Sequence, residues 1–358
     1  MKQKSKGLEW RVRIFKTLPA FFIFLLLSPQ ASAFTPPSWF KNGTYVTYAI
    51  FPGKERYKDM PILMPTYIPA LLPARDWEVF MNALENGSKD CIEFKKEIES
   101  PRYRSIWDCF HVYGPVFVTF NITNVTNSTA VILVTLKMMN VSPTVYCTLK
   151  SLTFQGKILL NLTDGYYYLN GTKIGRPSFF ILPYSLPEKG SLLYRASLLR
   201  KYDFQLVEDL TVKNVTFKEG KLVHTFVRTF HPPLIAAKSS RKPILYQKAG
   251  YLSSSLRIDS LYDLDTGVAV DMSFPYPELY SIGIVEGDDF NPYSAELNDK
   301  IDFSKEYWPY EFVLYKTNIQ FPKEQTGKAP DTVLKYYLLL GLAILGIVGV
   351  LKLREVRK

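Results

Sequence analysis

Histidine and cysteine are scarce in this chain, with three of each among 358 residues. That scarcity narrows the chemistry. There is no Cys-x-x-Cys pair, and His111, His224 and His231 are scattered, so a zinc site is not expected. HExxH, GxSxG, the Walker loop and GxGxxG are all missing. His111 follows Cys109 and Phe110 and reads as structural. His224 alternates within a strand-like run, and His231 precedes Pro232-Pro233. The chain is therefore read as non-catalytic and without a cofactor. An envelope hydrolase built from a His and convergent carboxylates is kept as an alternative. Three cysteines allow at most one intrachain disulfide. Cys91–Cys109 closes the shortest loop and is the expected pair, with Cys109–Cys147 left open.

A global basic field is also missing, although the net charge is +11. Residues 1–33 carry +5 and residues 335–358 carry +4, which leaves +2 for everything between. Basicity so distributed belongs to segments that meet a membrane and excludes nucleic acid as a partner.

Long apolar runs occur only at the two ends. Lys2, Lys4, Lys6, Arg11, Arg13 and Lys16 precede a short greasy run over 18–27. Pro29 and an Ala31-Ser32-Ala33 cleavage site follow. This is the pattern of a signal peptide over 1–33. Residues 333–351 are long enough to cross a bilayer once Lys335 snorkels. Tyr336 and Tyr337 mark the outer interface, and the basic tail 352–358 marks the cytoplasmic side. Residues 322–332 form a polar tether. The intervening 34–321 is expected to be an extracellular domain, with a sub-boundary admitted near 101–106. The expected location is the cell membrane: single-pass, N-terminus outside, with the lipid bilayer as a partner.

Nine Asn-x-Ser/Thr sequons support export: Asn42, Asn86, Asn121, Asn124, Asn127, Asn140, Asn161, Asn170 and Asn214. The chain has thirteen Asn, and chance would place roughly two in sequons. None falls between 217 and 331.

Helical periodicity is nearly absent too. Trp77, Phe80, Met81 and Leu84 recur at i, i+3, i+4 and i+7 after Asp76, a candidate cap, and Asn86-Gly87 stops the run. From 106 onward the chain reads as strand after strand: 116–122, 130–138, 144–154, 157–162, 165–168, 173–174, 179–182, 206–217, 221–230, 254–262, 267–274 and 310–321, preceded by 44–51. Asn170-Gly171 is a hairpin turn, Glu219-Gly220 a turn, and 263–267 a hairpin corner. Strands so close together, without helical spacers, pair antiparallel. The fold class is mainly β: an antiparallel curved sheet, sandwich or half-barrel with one short helix.

Charge is split within the domain, residues 101–250 carrying +12 and 251–334 carrying −9. Acidic C-terminal strands could thus lie against basic central ones. Asp263 and Asp265 faintly suggest a calcium loop but lack its distal ligands, so a turn with Asp side chains bonded to their own backbone is favoured. Aromatics reach 15%. Tyr166, Tyr167 and Tyr168 cannot all point inward from one strand; rings around 275–280 and 307–310 could likewise be displayed, although packing in the core and at corners is favoured.

The order of signal peptide, sequon-dense β domain, tether and basic-tailed helix resembles uncharacterised membrane-anchored cell-surface proteins of hyperthermophilic archaea. Residues 39–46 (WFKNGTYV) and 262–267 (YDLDTG) carry the likeness, and the second is similar to β half-barrel carriers of lipids or lipoproteins. The membrane tether, the sequon coat and the missing catalytic motifs together point to a non-catalytic surface module that binds an envelope protein, glycan or lipid, with a sequon-free patch expected within 217–331. A carrier of hydrophobic ligands is the alternative that the half-barrel likeness suggests.

Overall fold

The computed structural model describes residues 34–52, 61, 65–100, 102–103, 108–198, 204–206, 208–246, 251–287, 306–307 and 312–322. The expected signal peptide, membrane helix and tail, the expected tether beyond Pro322 and most of the 101–106 boundary lie outside the described residues. Among the described residues no helix is long and apolar enough to cross a membrane.

The sheet closes on itself. Twelve strands form the barrel: β1 (Tyr45–Ile50), β2 (Val116–Thr123), β3 (Thr129–Thr144), β4 (Cys147–Asn161), β5 (Tyr166–Leu169), β6 (Thr172–Gly175), β7 (Leu192–Tyr194), β8 (Leu210–Lys218), β9 (Leu234–Ser239), β10 (Asp259–Asp263), β11 (Ala269–Met272) and β12 (Phe312–Thr317). Each pairs antiparallel with its sequence neighbours, and β12 closes onto β1 through Val46↔Thr317 and Ala49↔Val313. The result is an up-and-down barrel, more closed than the half-barrel or sandwich expected from sequence. Strict alternation of buried and half-buried residues in β2 supplies the inward and outward faces. Gly156 was expected to separate two strands. Instead β4 runs straight through it, and a Cβ there would sit 2.8 Å from the Ser281 carbonyl oxygen. Its bareness serves a close approach and not a turn.

An eight-stranded barrel is filled by side chains, whereas a wider one leaves a lumen. Here the chain fills that lumen itself. The strap, residues 176–182, follows β6. Its Phe179 stacks on Phe120 of β2 at 4.7 Å, and Tyr48 of β1 donates its hydroxyl to the Phe179 carbonyl at 3.2 Å. Sequence reading made 179–182 a strand; within it only Phe180 makes a bridge, to Val268. The plug, residues 274–285, leaves β11 and contains helix α3 (Tyr276–Tyr280), all of it buried. Its rings are buried and not displayed, in keeping with the favoured core packing: Tyr276 lies on Phe274 and on Tyr194 of β7.

Two further helices pack against β4, the first reaching its inward-facing Phe154 through Phe80 and Phe110. Helix α1 (Ala74–Glu85) buries Phe80, Met81 and Leu84, as its periodicity predicts. It begins before Asp76, which is not its cap. Both Asp76 carboxylate oxygens instead accept the Gln155 amide at 3.0 Å, sealing β4 where β5 has stopped pairing with it. Helix α2 (Lys89–Glu99) was not anticipated; Ser88 caps it by accepting the Cys91 amide. Cys91 bonds Cys147 at the start of β4, not Cys109. The shortest-loop argument fails because loop entropy grows only logarithmically with length, so the packing of α2 on β4 decides the pair. Cys109 lies in a short strand paired with Thr66, and its half-buried Sγ is 3.2 Å from Thr66 Oγ1. Burial pushes that thiol's pKa up.

Candidate functional site: a groove on the outer wall

An open groove of about 490 Å³ lies on the outside of β8–β11, within the size range of ligand pockets. Its floor follows from strand alternation. Ile235 and Tyr262 face the lumen as cross-strand partners. The residues between them, Leu234, Ala236 and Lys238 on β9, therefore face out, opposite Asp263, Leu261 and Asp259 on β10. Leu261 is in turn opposite Asp271 of β11. An arm over 219–230 flanks this floor: a hairpin of Leu222–His224 with Thr229–Phe230, which contributes Val223 to the lining. Its tip is fastened to β12 by the Phe226 amide, which donates to the Leu314 carbonyl at 3.2 Å. In the same turn Arg228 donates to the Pro322 carbonyl at 2.9 Å and lies over Phe230 and Phe321.

Charge is distributed along the groove. Lys218 is opposite Leu234 at one end, and Lys238 lies four residues on, roughly 13 Å away at the antiparallel rise per residue. Lys221 and Arg257 add cations, and Glu219, Asp259 and Asp271 are the anions. Lys238 and Asp259 form an ion pair at 2.7 Å, one place where a central cation meets a C-terminal anion as the charge split suggested. Both partners are part-exposed, so the pair contributes only about 0–1 kcal/mol. Between the cationic ends the floor is made by the buried side chains of Val223, Leu234 and Ala236 and the half-buried Leu261. Such a surface can hold an extended segment chiefly by its charged flanks, with Leu261 as the apolar contact between them.

The other residues singled out from sequence are dispersed. Asp263 is committed to the 263–267 corner: its Oδ2 accepts the Thr266 amide at 2.9 Å and the Thr266 hydroxyl at 2.6 Å. Burial raises its pKa against those two bonds. Asp265 is exposed beside it, and among the described residues no group of acidic, His or Cys side chains could hold a metal. His224 Nδ1 is 2.9 Å from Thr229 Oγ1 within the arm, and His231 is exposed beyond it. His111 lies in a short strand, His111–Val112, that pairs with β3, opposite Ser142. Tyr167 points into the lumen, while Tyr166 and Tyr168 face out around Lys173, whose Nζ is 4.1 Å and 5.7 Å from their ring centres.

The sequon asparagines occupy a different part of the surface. Asn42, Asn86, Asn124, Asn127, Asn140, Asn170 and Asn214 are exposed, and Asn121 and Asn161 are half-buried. They lie at the entry to β1, between α1 and α2, on β2–β4 and their turns, on the β5–β6 turn and on β8. Strands β9–β12 and the arm carry none. Sequence reading missed Leu234, Ala236 and Lys238, because Pro232-Pro233 hides the start of β9. It also missed the interior carboxyl of Glu278. A signal for the latter existed: residues 274–285 contain that single charge among apolar and small residues. No protein-family model, curated protein or solved structure matches this chain.

Proposed function

We propose that this chain is a non-catalytic binding module of a cell envelope, exported and tethered by residues 333–351, which engages an envelope component through the groove on β8–β11. One observation carries the reading: of the elements that hold the groove, β9–β11 and the arm carry no sequon, and β8 carries only Asn214, opposite Lys238 at one end. Sugar at the other eight asparagines would coat the rest of the barrel, and sugar at Asn214 would border the groove at that end, leaving the face over β9–β11 clear for contact. Cations at both ends, Lys218 and Lys238, with half-buried Leu261 between them, suit an extended segment that carries anionic groups on either side of a small apolar one. We do not favour a carrier of hydrophobic ligands, since the strap and plug already take up the lumen such a ligand would need. A hydrolase is also disfavoured, because Asp259 is paired with Lys238 and the histidines lie apart.

The substitution Lys238→Asn offers a direct test, since it completes a sequon with Ser239 and Ser240 inside the groove. Full-length protein in detergent would be tested for binding to envelope protein, glycan and lipid-vesicle fractions, with glycan occupancy checked by mass spectrometry. Binding by the parent chain that is lost once position 238 carries sugar supports the reading. Binding that persists with the groove blocked, or native glycans found on β9–β12, overturns it.

A further inference from the structure

Glu278 is the one charged residue of the plug, and it is fully buried. Its Oε1 accepts the Tyr167 hydroxyl at 3.0 Å and the Ser178 amide at 2.7 Å, while its Oε2 lies 2.9 Å from Ser178 Oγ. The carboxyl therefore joins the plug to the strap and to the wall at β5. The strap is also held by Tyr262, which donates to the Ser178 carbonyl at 3.0 Å, and by Tyr48, which donates to the Phe179 and Ala269 carbonyls. The titratable groups facing the carboxyl are thus Tyr167 of β5, Tyr262 of β10 and Tyr48 of β1. All three are kept neutral, chiefly because burial pushes their pKa values up. No described lysine, arginine or histidine is hydrogen-bonded to Glu278.

We infer that Glu278 is a proton-operated latch that pins the plug to the strap when protonated and weakens that hold when ionised. The geometry accommodates both states without moving a heavy atom. When the carboxyl is ionised, Ser178 Oγ–H donates to Oε2. When it is protonated, Oε2–H donates to Ser178 Oγ, and the serine proton turns to Met272 Sδ, 3.8 Å away. The two states differ in energy because a buried charge without a cationic partner is costly. Burial pushes the Glu278 pKa up to about 7, against four hydrogen bonds that favour the charge.

The direction of the pH effect follows. The unfolded chain loses this proton near pH 4.5, and the folded chain keeps it until about 7. Between those values the folded state binds more protons, so stability is greatest below 4.5 and falls as pH rises to 7. Each pH unit in the window lowers this group's contribution to the folding equilibrium about tenfold, on the order of a hundredfold overall.

The test uses full-length protein in detergent, with thermal melts and amide exchange over 274–285 at pH 5.5 and 8.0, each corrected for intrinsic exchange. The parent chain is expected to protect the plug more strongly at 5.5. Glu278→Gln reproduces the protonated network, because its amide can donate to Ser178 Oγ. It should match the parent at pH 5.5, exceed it at 8.0, and lose the difference between the two. An unaltered pH difference in the glutamine variant would overturn the latch, as would a parent chain without one. A glutamine variant that fails to fold would do so equally, since it carries the hydrogen bonds of the stable state.

Discussion

Strands β9, β10 and β11 present two unlike surfaces one side chain apart. On the inside, Tyr262 donates to the strap, Met272 lies beside Ser178, and Ile235 and Val270 are buried. On the outside, Lys238, Asp259, Leu261 and Asp271 line an open groove. Inside, polar atoms are fixed to carbonyls and to a single carboxyl. Outside, part-exposed charges of both signs sit above the buried side chains of Leu234 and Ala236 and the half-buried Leu261. The contrast teaches that one period-two alternation can build a packed interior and a recognition surface from the same short strands, provided that something else fills the lumen.

Removing the largest interior contact should break this contrast most severely. Phe179→Ala deletes the ring stacked on Phe120 and should cost about 3–5 kcal/mol, read by chemical denaturation. A loss below about 1 kcal/mol would mean the strap does not pack the lumen. Cys147→Ser opens the Cys91–Cys147 bridge, whose residues are 56 apart in sequence, and should cost roughly 2–5 kcal/mol. Its effect should concentrate on α2 and the start of β4 in amide exchange, with the plug retained. Tyr262→Phe leaves the buried Ser178 carbonyl without its hydroxyl donor and should cost about 1–3 kcal/mol. Outside the barrel the same kind of change should barely register. Lys238→Ala breaks the Asp259 pair and should alter stability by no more than about 1 kcal/mol. A large loss there would erase the distinction between wall and groove.

Much of the wall was legible in the residues. The β5–β6 turn follows from Asn170-Gly171, both at positive φ, and the 263–267 corner from Asp263, Thr266 and Gly267. The apolar face of α1 follows from its spacing. What failed did so for physical reasons. Gly156 looked like a break because a missing side chain is silent about whether it frees the backbone or admits a neighbour. Phe179–Leu182 has the composition of a strand, but its rings and carbonyls find partners inside the barrel and not on a ladder. For the segment around Pro275 and Pro277 a display loop stayed open beside the favoured core packing, because prolines mark irregular backbone without saying whether water or protein surrounds it. The cysteine pairing was fixed by where α2 docks, which no loop length encodes.

By itself the sequence determined that this chain is a succession of antiparallel strands with a helix of predictable apolar face, because alternation and turn chemistry act over a few neighbouring residues. Only the tertiary structure decided that the sheet closes at twelve strands, that the chain plugs its own lumen, and that Glu278 lies at the centre while Lys238 lies at the rim. Those outcomes depend on contacts between residues a hundred positions apart, such as Ser178 and Glu278, and local preferences do not reach that far.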